Sequence, residues 1–297
     1  MGITRSVVVS IVGRPNTGKS TLTNRLVGRK IAIVSRKPQT TRTRITGLLN
    51  KDSCQYVFLD TPGFHRPKSR LGDYMVNVVR QTVSDVDVAV LVVEPIPNIG
   101  EPEKELIKKI KGAKIPSILA INKIDTVKKE ELLEVISVYS DAHDFDEIIP
   151  ISAKSGDGCE TLLSALEGFS IEGDPLFPED MISDQPEKQI AAEIIREKLL
   201  RLIDKEIPHG TAVEIEEYKD TDDGILEISA NIYCEKESHK GIIIGKNGAM
   251  LKSVGQAARE DMERAFETKV FLQLWVKVRE GWRNNIAQIR NFGYDDR

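Results

Sequence analysis

Residues 7–26 read VVVSIVGRPNTGKSTLTNRL. An apolar run, Val7–Val12, feeds a loop that opens an amphipathic helix over Lys19–Leu26. The loop Gly13-Arg14-Pro15-Asn16-Thr17-Gly18-Lys19-Ser20 matches GxxxxGK[ST] in the strand–loop–helix context that the pattern requires. Glycines let backbone N–H groups converge on phosphate oxygens with no Cβ in the way. The N-terminus of the following helix adds partial positive charge. Lys19 is placed to neutralise β- and γ-phosphates and Ser20 to ligate Mg²⁺. Thr21 completes the phosphate side of the set.

Outward from this loop, short Val- and Ile-rich runs alternate with amphipathic stretches. The runs are Tyr56–Leu59, Val86–Val93, Pro116–Ile121 and Glu147–Ile151. They are apolar on both faces, as strands buried between helices are. Helices are expected over Leu71–Ser84, Pro102–Lys111, Val127–Asp141 and Gly158–Phe169. Strand alternating with helix means an α/β unit with a mostly parallel sheet covered on both faces. Ile45–Leu49 and Gln55–Leu59 read as one antiparallel hairpin on it.

The chain has 297 residues, enough for about two domains. No apolar run reaches the roughly 18 residues of a membrane span, and residues 1–12 lack a signal-peptide cleavage site. The three cysteines, Cys54, Cys159 and Cys234, lie far apart, which argues against a zinc site and for a reducing compartment. Lys and Arg number 42 against 46 Asp and Glu, a net charge of −4. That balance argues against bulk, non-specific nucleic-acid binding and leaves room for a local basic groove.

Three further boxes narrow the nucleotide. Asp60-Thr61-Pro62-Gly63 ends a strand, where a carboxylate faces the nucleotide crevice. Asp60 is expected to hold Mg²⁺ through water and the Gly63 N–H to meet the γ-phosphate. Asn122-Lys123-Ile124-Asp125 follows the run ending at Ile121. The Asp125 carboxylate can accept from guanine N1–H and the 2-amino group, a donor pair that adenine lacks. Asn122 braces the base loops and the Lys123 stem covers the ring. Ser152-Ala153-Lys154 follows the next strand, with the Ala153 N–H directed at guanine O6. These boxes argue against a P-loop kinase for a small metabolite.

In order and spacing the boxes resemble the translation-factor-like class of small GTPases. That class takes a Mg²⁺-ligating threonine from a mobile loop, and Pro38–Arg42 (PQTTR) is the only threonine-rich loop between Lys19 and Asp60. The class pattern points to Thr41, with Thr40 as the alternative. Lys19, Thr41 and Gly63 are thus the groups expected to act on the γ-phosphate. Two departures from the Ras-like pattern stand out. Phe64 occupies the position of the water-orienting glutamine, so intrinsic hydrolysis should be slow. Asn16 lies inside the phosphate loop; in related GTPases with GxPNxGKS it ligates a monovalent cation such as K⁺, and otherwise it caps a turn. Arg14, Arg42 and Arg44 are read as solvated or RNA-facing.

After Phe169 the rhythm changes. SIEGDPLFPEDMISDQPEK is punctuated by Gly173, Pro175, Pro178 and Pro186 and reads as a linker, 171–186. The domains are therefore expected at 1–170 and 187–297. The second follows the order helix (Glu187–Leu202), strand (Thr211–Lys219), strand (Gly224–Cys234), helix, glycine loop, helix (Ala249–Glu267), strand (Phe271–Val278). Gly241-Ile242-Ile243-Ile244-Gly245-Lys246-Asn247-Gly248 runs a short apolar helix into GxxG, the clamp of an α+β KH domain of type II. Lys246 and Lys252 supply charge and Asn247 a donor. The bases are expected over aliphatics such as Ile242, Ile243 and Ile244. From Pro186 onward there are 18 Lys and Arg against 21 Asp and Glu, so RNA binding should be local and base-dependent. Trp275 and Trp282 are read as packing residues.

GRPNTGKS, QTTR, DTPG, NKID, SAK and GIIIGKNG, in this order, resemble the Era family of bacterial GTPases. FPEDMISD, EIIREKLLR and LWVKVREGWR extend the likeness over the whole chain. The resemblance implies GTP and GDP as ligands and binding of single-stranded RNA near the 3′ end of small-subunit (16S) ribosomal RNA. It further implies a role in assembling the small ribosomal subunit, a cytoplasmic location and partial association with the inner membrane face. A monomer is expected.

Overall fold

A computed structural model describes residues 2–35, 37–64, 67, 69–83, 85–204 and 207–294. The chain forms two compact units. One comprises Met1–Ala32, Thr41–Pro67 and Met75–Asp184; the other comprises Ile33–Thr40, Lys68–Tyr74 and Gln185–Arg297.

The first unit is built on strands β1 (Arg5–Val12), β2 (Ile45–Lys51), β3 (Cys54–Asp60), β4 (Val88–Val93), β5 (Ser117–Ile121), β6 (Glu147–Pro150) and β7 (Ile171–Glu172). Their order is β2-β3-β1-β4-β5-β6, with β7 paired to β1. The path from β3 to β6 is parallel; β2 runs antiparallel to β3. Helices α1 (Lys19–Val27), α2 (Arg70–Thr82), α3 (Glu101–Ala113), α4 (Lys129–Ala142) and α5 (Cys159–Glu167) are the intervening elements. Strand β4 shows why the runs are continuously apolar. Val88, Val90 and Val92 enter a core with Leu22 and Leu162, while Ala89, Leu91 and Val93 enter another with Leu106 and Tyr139.

The stretch expected as a linker is tied to this unit through Asp184. Ile171 and Glu172 pair with Ser6 and Arg5. The Phe177 N–H donates to Gln55 Oε1 at 2.9 Å, and the Leu48 N–H donates to the Ile182 carbonyl at 2.8 Å. Its prolines prevent helix, yet several of its backbone groups find partners on β1 to β3.

The second unit runs α6 (Glu187–Leu202), β8 (Ala212–Asp220), β9 (Ile225–Cys234), α7 (Glu237–Ile244), α8 (Ala249–Phe266), β10 (Lys269–Val278) and α9 (Ile286–Asn291). The sheet order is β10-β9-β8, with β9 and β10 parallel and β8 antiparallel to β9. Ile195 and Leu199 of α6 join Val254 and Ala258 of α8 over Leu226, Ile228 and Ile232. Residues of opposite parity on β10 turn outward. Trp275 is among them, 44% exposed, so it is not a packing residue as expected. Trp282 is one: it is fully buried and its Nε1–H donates to the Gly210 carbonyl at 2.9 Å. Among the described residues no helix is long and apolar enough to cross a membrane.

Candidate functional site

The phosphate loop leaves β1 at its carboxyl end and closes at α1. Gly18 has φ +99°, and a Cβ there would lie 2.2 Å from Asn122 Nδ2. Thr17 is buried, its hydroxyl donating to the Arg14 carbonyl at 3.2 Å. Lys19 is buried and donates to the Gly13 and Arg14 carbonyls at 3.1 and 2.9 Å. Burial pulls its ammonium down to about 8, with Asp60 resisting the fall. Pro15 packs so closely on Gly63 that a Cβ at Gly63 would come within 2.7 Å of the Pro15 backbone. Thr21 lies in the first turn of α1, half-buried.

Asp60 ends β3 and is fully buried. Among the described residues, neither carboxylate oxygen meets a donor at hydrogen-bonding geometry. Burial pushes its pKa up to about 6, against the pull of Lys19, the Ser20 hydroxyl and the Thr61 amide. Thr41 Oγ1 lies 2.8 Å from Ser20 Oγ. The Thr40 hydroxyl is engaged within its own segment, with Ser35 Oγ at 2.8 Å and the Lys37 carbonyl at 2.6 Å. An orphaned buried carboxylate beside two hydroxyls is a hard-oxygen donor set, and it fits Mg²⁺. Thr61 anchors the turn by donating to the Ile11 carbonyl at 2.8 Å, and Pro62 is buried beside it. Phe64 is buried with Val12, Val76 and Val79, and its N–H donates to the Gly13 carbonyl at 3.0 Å.

The base side is organised by Asn122. Its Nδ2 donates to the Thr17 carbonyl at 2.8 Å, and its Oδ1 accepts from the Ala153 N–H at 2.9 Å. Asp125 Oδ1 accepts from the Ser152 hydroxyl at 2.8 Å. Lys123 donates to the Asn16 carbonyl at 2.7 Å and to Glu94 at 2.5 Å. Asn16 is exposed with φ +67°, and Lys154 is exposed.

Sequence reasoning missed three supports. Glu94 joins Arg14 (2.5 Å) to Lys123; burial favours its neutral form, but Lys123 and Arg14 hold its carboxyl below the usual range. Glu103, buried, takes Arg14 Nε at 3.2 Å. Arg25 donates to the carbonyls of Ala153, at 3.2 Å, and Lys154. Arg14 is therefore bound to carboxylates, and Arg42 is 1% exposed; neither is a solvated charge, and of the three only Arg44 is exposed. An apolar strand followed by a lone acid, VVE at 92–94, was the one available signal for Glu94.

In the second unit, α7 ends at Gly245 (φ +73°), where a Cβ would lie 2.7 Å from the Met250 Cβ. Asn247 and Gly248 also take positive φ, which turns the loop into α8. Lys246 and Asn247 are exposed, as is Gly241. A groove of about 550 Å³ opens beside this loop, lined by Gly248, Leu251, Lys252, Gly255, Gln256, Arg259, Leu272 and Leu274. Its apolar wall is thus Leu251, Leu272 and Leu274. Ile243 is not available as a wall: it is fully buried in the core, because the helical period that exposes Ile242 turns Ile243 inward. Ile244 is half-buried against that core.

Fold and site together define a P-loop protein with a guanine-type base crevice, joined to a KH module. The family described as 50S ribosome-binding GTPase matches residues 8–123, and the KH domain family matches residues 206–283. The chain is 50% identical over 290 residues to GTPase Era of Ruminiclostridium cellulolyticum, covering 98% of this chain and 97% of that one. It is 49% identical over 295 residues to GTPase Era of Clostridioides difficile, covering 99% of both. Two solved structures are similar at 40% identity, each covering 98% of this chain and 99% of the other. One is Era in complex with MgGDPNP and nucleotides 1506–1542 of 16S ribosomal RNA, with a TM-score of 0.95. The other is an Aquifex aeolicus Era variant bound to GDP·AlF₄⁻, with a TM-score of 0.94. This chain belongs to the Era family of GTPases.

Proposed function

We propose that the chain hydrolyses GTP to GDP and phosphate, and that nucleotide state gates its hold on single-stranded RNA near the 3′ end of 16S ribosomal RNA during assembly of the small subunit. The observation that carries this is the pair of bonds by which Asn122 joins the phosphate loop at Thr17 to the base loop at Ala153, in a chain that also holds a GxxG groove.

In this reading Gly13 to Thr21 cradle the phosphates, and Lys19 neutralises them. Ser20, Thr41 and Asp60 hold Mg²⁺. Held there, Mg²⁺ would supply charge neutralisation to the β- and γ-phosphates. The Gly63 N–H reports the γ-phosphate. With Phe64 committed to the core, the attacking water is oriented by backbone or by another group, and unstimulated hydrolysis is slow. Asp125, Ser152, Ala153 and Lys154 enclose the guanine, and Lys123 covers it. Asn16 offers its side-chain carbonyl to K⁺. Gly241, Ile242, Ile244, Gly245, Lys246, Asn247, Gly248 and Lys252 serve the RNA. The same reading takes 1–170, 171–186 and 187–297 as GTPase domain, connecting segment and KH domain. It takes the protein as a cytoplasmic monomer with peripheral association at the inner membrane face.

The test is GTP turnover with and without an RNA matching the 3′ end of 16S ribosomal RNA, beside a scrambled control. Stimulation by the matching RNA alone supports gating. Equal rates with both, at RNA concentrations where both bind, remove it. Exchanging K⁺ for a bulky monovalent cation slows turnover if Asn16 ligates K⁺; unchanged turnover assigns Asn16 to the turn.

A further inference from the structure

We infer that Glu94 is a positioning residue for the guanine base, holding the Lys123 ammonium and with it the stem that covers the ring. Topology puts it there. In the sheet order of the first unit, β4 lies between β1 and β5. The end of β1 feeds the phosphate loop, and the end of β5 feeds the NKID box. Glu94 is the first residue beyond β4, so it leaves the sheet flanked by both loops. In parallel sheets the ligand crevice lies at the carboxyl ends of the strands. The Asn122 N–H donates to the Val93 carbonyl at 2.8 Å and keeps the ends of β4 and β5 together.

The carboxylate divides its oxygens between two cations. Oε1 accepts from Lys123 Nζ and Oε2 from Arg14 Nη2, each at 2.5 Å. The two cations do not depend on it equally. Arg14 also pairs with Glu103, through Nε at 3.2 Å. Among the described residues Lys123 has no second carboxylate; its other partner is the Asn16 carbonyl, at 2.7 Å. Lys123 has φ +68° and Asn16 φ +67°. That region is disfavoured for any residue but glycine, and a residue stays in it where its surroundings over-determine it. The Glu94 and Lys123 side chains are 24% and 35% exposed, so water screens the pair incompletely. A neutral side chain at position 94 would leave Arg14 with Glu103, and Lys123 with a carbonyl alone beside a like charge. The loss therefore falls on Lys123, at the base and not at the phosphates.

This role rests on the reading of Lys123 as the cover of guanine, and the test separates the two. Affinities for GDP, for a nonhydrolysable GTP analogue and for inorganic tripolyphosphate, which has no base, are measured with Mg²⁺ on the full chain. Variants are Glu94→Gln, Glu94→Asp, Lys123→Ala and Lys123→Ala with each Glu94 change. Given what a hydrogen bond to a charged partner contributes, Glu94→Gln is expected to weaken GDP and the analogue alike, by about tenfold, with tripolyphosphate affinity kept. Glu94→Asp keeps the charge on a shorter stem and should lose less. In the Lys123→Ala background either Glu94 change should cost less than about a further twofold. An equal loss for tripolyphosphate, or full additivity with Lys123→Ala, overturns the role of Glu94. An unchanged GDP affinity in Lys123→Ala overturns the covering reading itself. If Lys123→Ala weakens GDP and the Glu94 variants do not, only the role of Glu94 fails. Should Glu94→Gln not fold, Glu94→Asp carries the same comparison.

Discussion

Lys19 and Asp60 are buried in one crevice, and each offsets part of the other's loss of water. Burial brings the lysine down to about 8 and the aspartic acid up to about 6, so the free protein holds both charges only over a narrow interval. As pH falls through 6, Asp60 takes a proton and ceases to be a good Mg²⁺ ligand. As pH rises through 8, Lys19 loses the charge that phosphate needs. Nucleotide affinity in the presence of Mg²⁺ is therefore expected to fall on both sides, by up to tenfold per pH unit. Asp60→Asn should remove the acid limb that this carboxyl causes, and Lys19→Arg the alkaline limb, since a guanidinium stays charged. A titration of affinity from pH 5 to 9 checks this; limbs unmoved in both variants would remove the coupled pair as their cause.

Asn122 bonds both to the phosphate loop, at the Thr17 carbonyl, and to the base loop, at the Ala153 N–H. Asn122→Ala leaves the Thr17 carbonyl and the Ala153 N–H without that partner in a buried place. The cost is about 2–6 kcal/mol of stability, at about 1–3 kcal/mol for each of the two unsatisfied groups. GTP and GDP affinities should fall together, by tenfold or more, because both loops serve either nucleotide. Denaturant unfolding and fluorescent-nucleotide binding report the two effects. A loss confined to GTP would show that Asn122 acts on the γ-phosphate side instead.

Much of this was legible in the sequence, for reasons that differ by residue. Val88 to Val93 are apolar at every position, and that pattern has one common cause, a parallel strand covered on both faces. The phosphate loop and NKID box are local, so their geometry follows from short-range spacing. What could not be read is long-range. Glu94 meets Arg14 across 80 positions, and Arg196 meets Thr40 across 156. No periodicity encodes such partners. Ile243 and Trp275 fail for a smaller reason: in GIIIG and in LWV, neighbouring apolar residues leave the inward side undecided, and packing alone decides it. Residues 171–184 look like a linker because prolines remove regular structure, not because the segment lacks partners.

The two glycines of the clamp should respond differently. Gly245 has Met250 2.7 Å from the position of a Cβ, so Gly245→Ala displaces the start of α8 and lowers both stability and RNA affinity. Gly248 has open space around it and φ +77°, so a side chain there costs about 1 kcal/mol of strain and points at nothing in the protein. Gly248→Asp is therefore expected to keep the fold and GTP binding while abolishing RNA binding, through charge repulsion at the backbone-binding loop. Circular dichroism with RNA gel-shift on both variants separates the cases. Retained RNA affinity in a folded Gly248→Asp protein would move the clamp elsewhere.

The Ser152 hydroxyl, at 2.8 Å, holds one oxygen of Asp125, the acceptor that the proposed function assigns to guanine. Asp125→Asn turns one acceptor into a donor, which suits the 2-carbonyl of xanthine and repels the 2-amino group of guanine. GTP affinity should fall at least a hundredfold and affinity for xanthosine triphosphate should rise, because mismatched hydrogen-bond donors discriminate strongly. Ser152→Ala keeps the acceptor and loses only its orientation. It should therefore weaken GTP about three- to tenfold with no gain for xanthosine triphosphate. Competition binding with both nucleotides reads the difference. If Ser152→Ala matched Asp125→Asn in preference, the hydroxyl itself would be reading the base, and Asp125 would be its support.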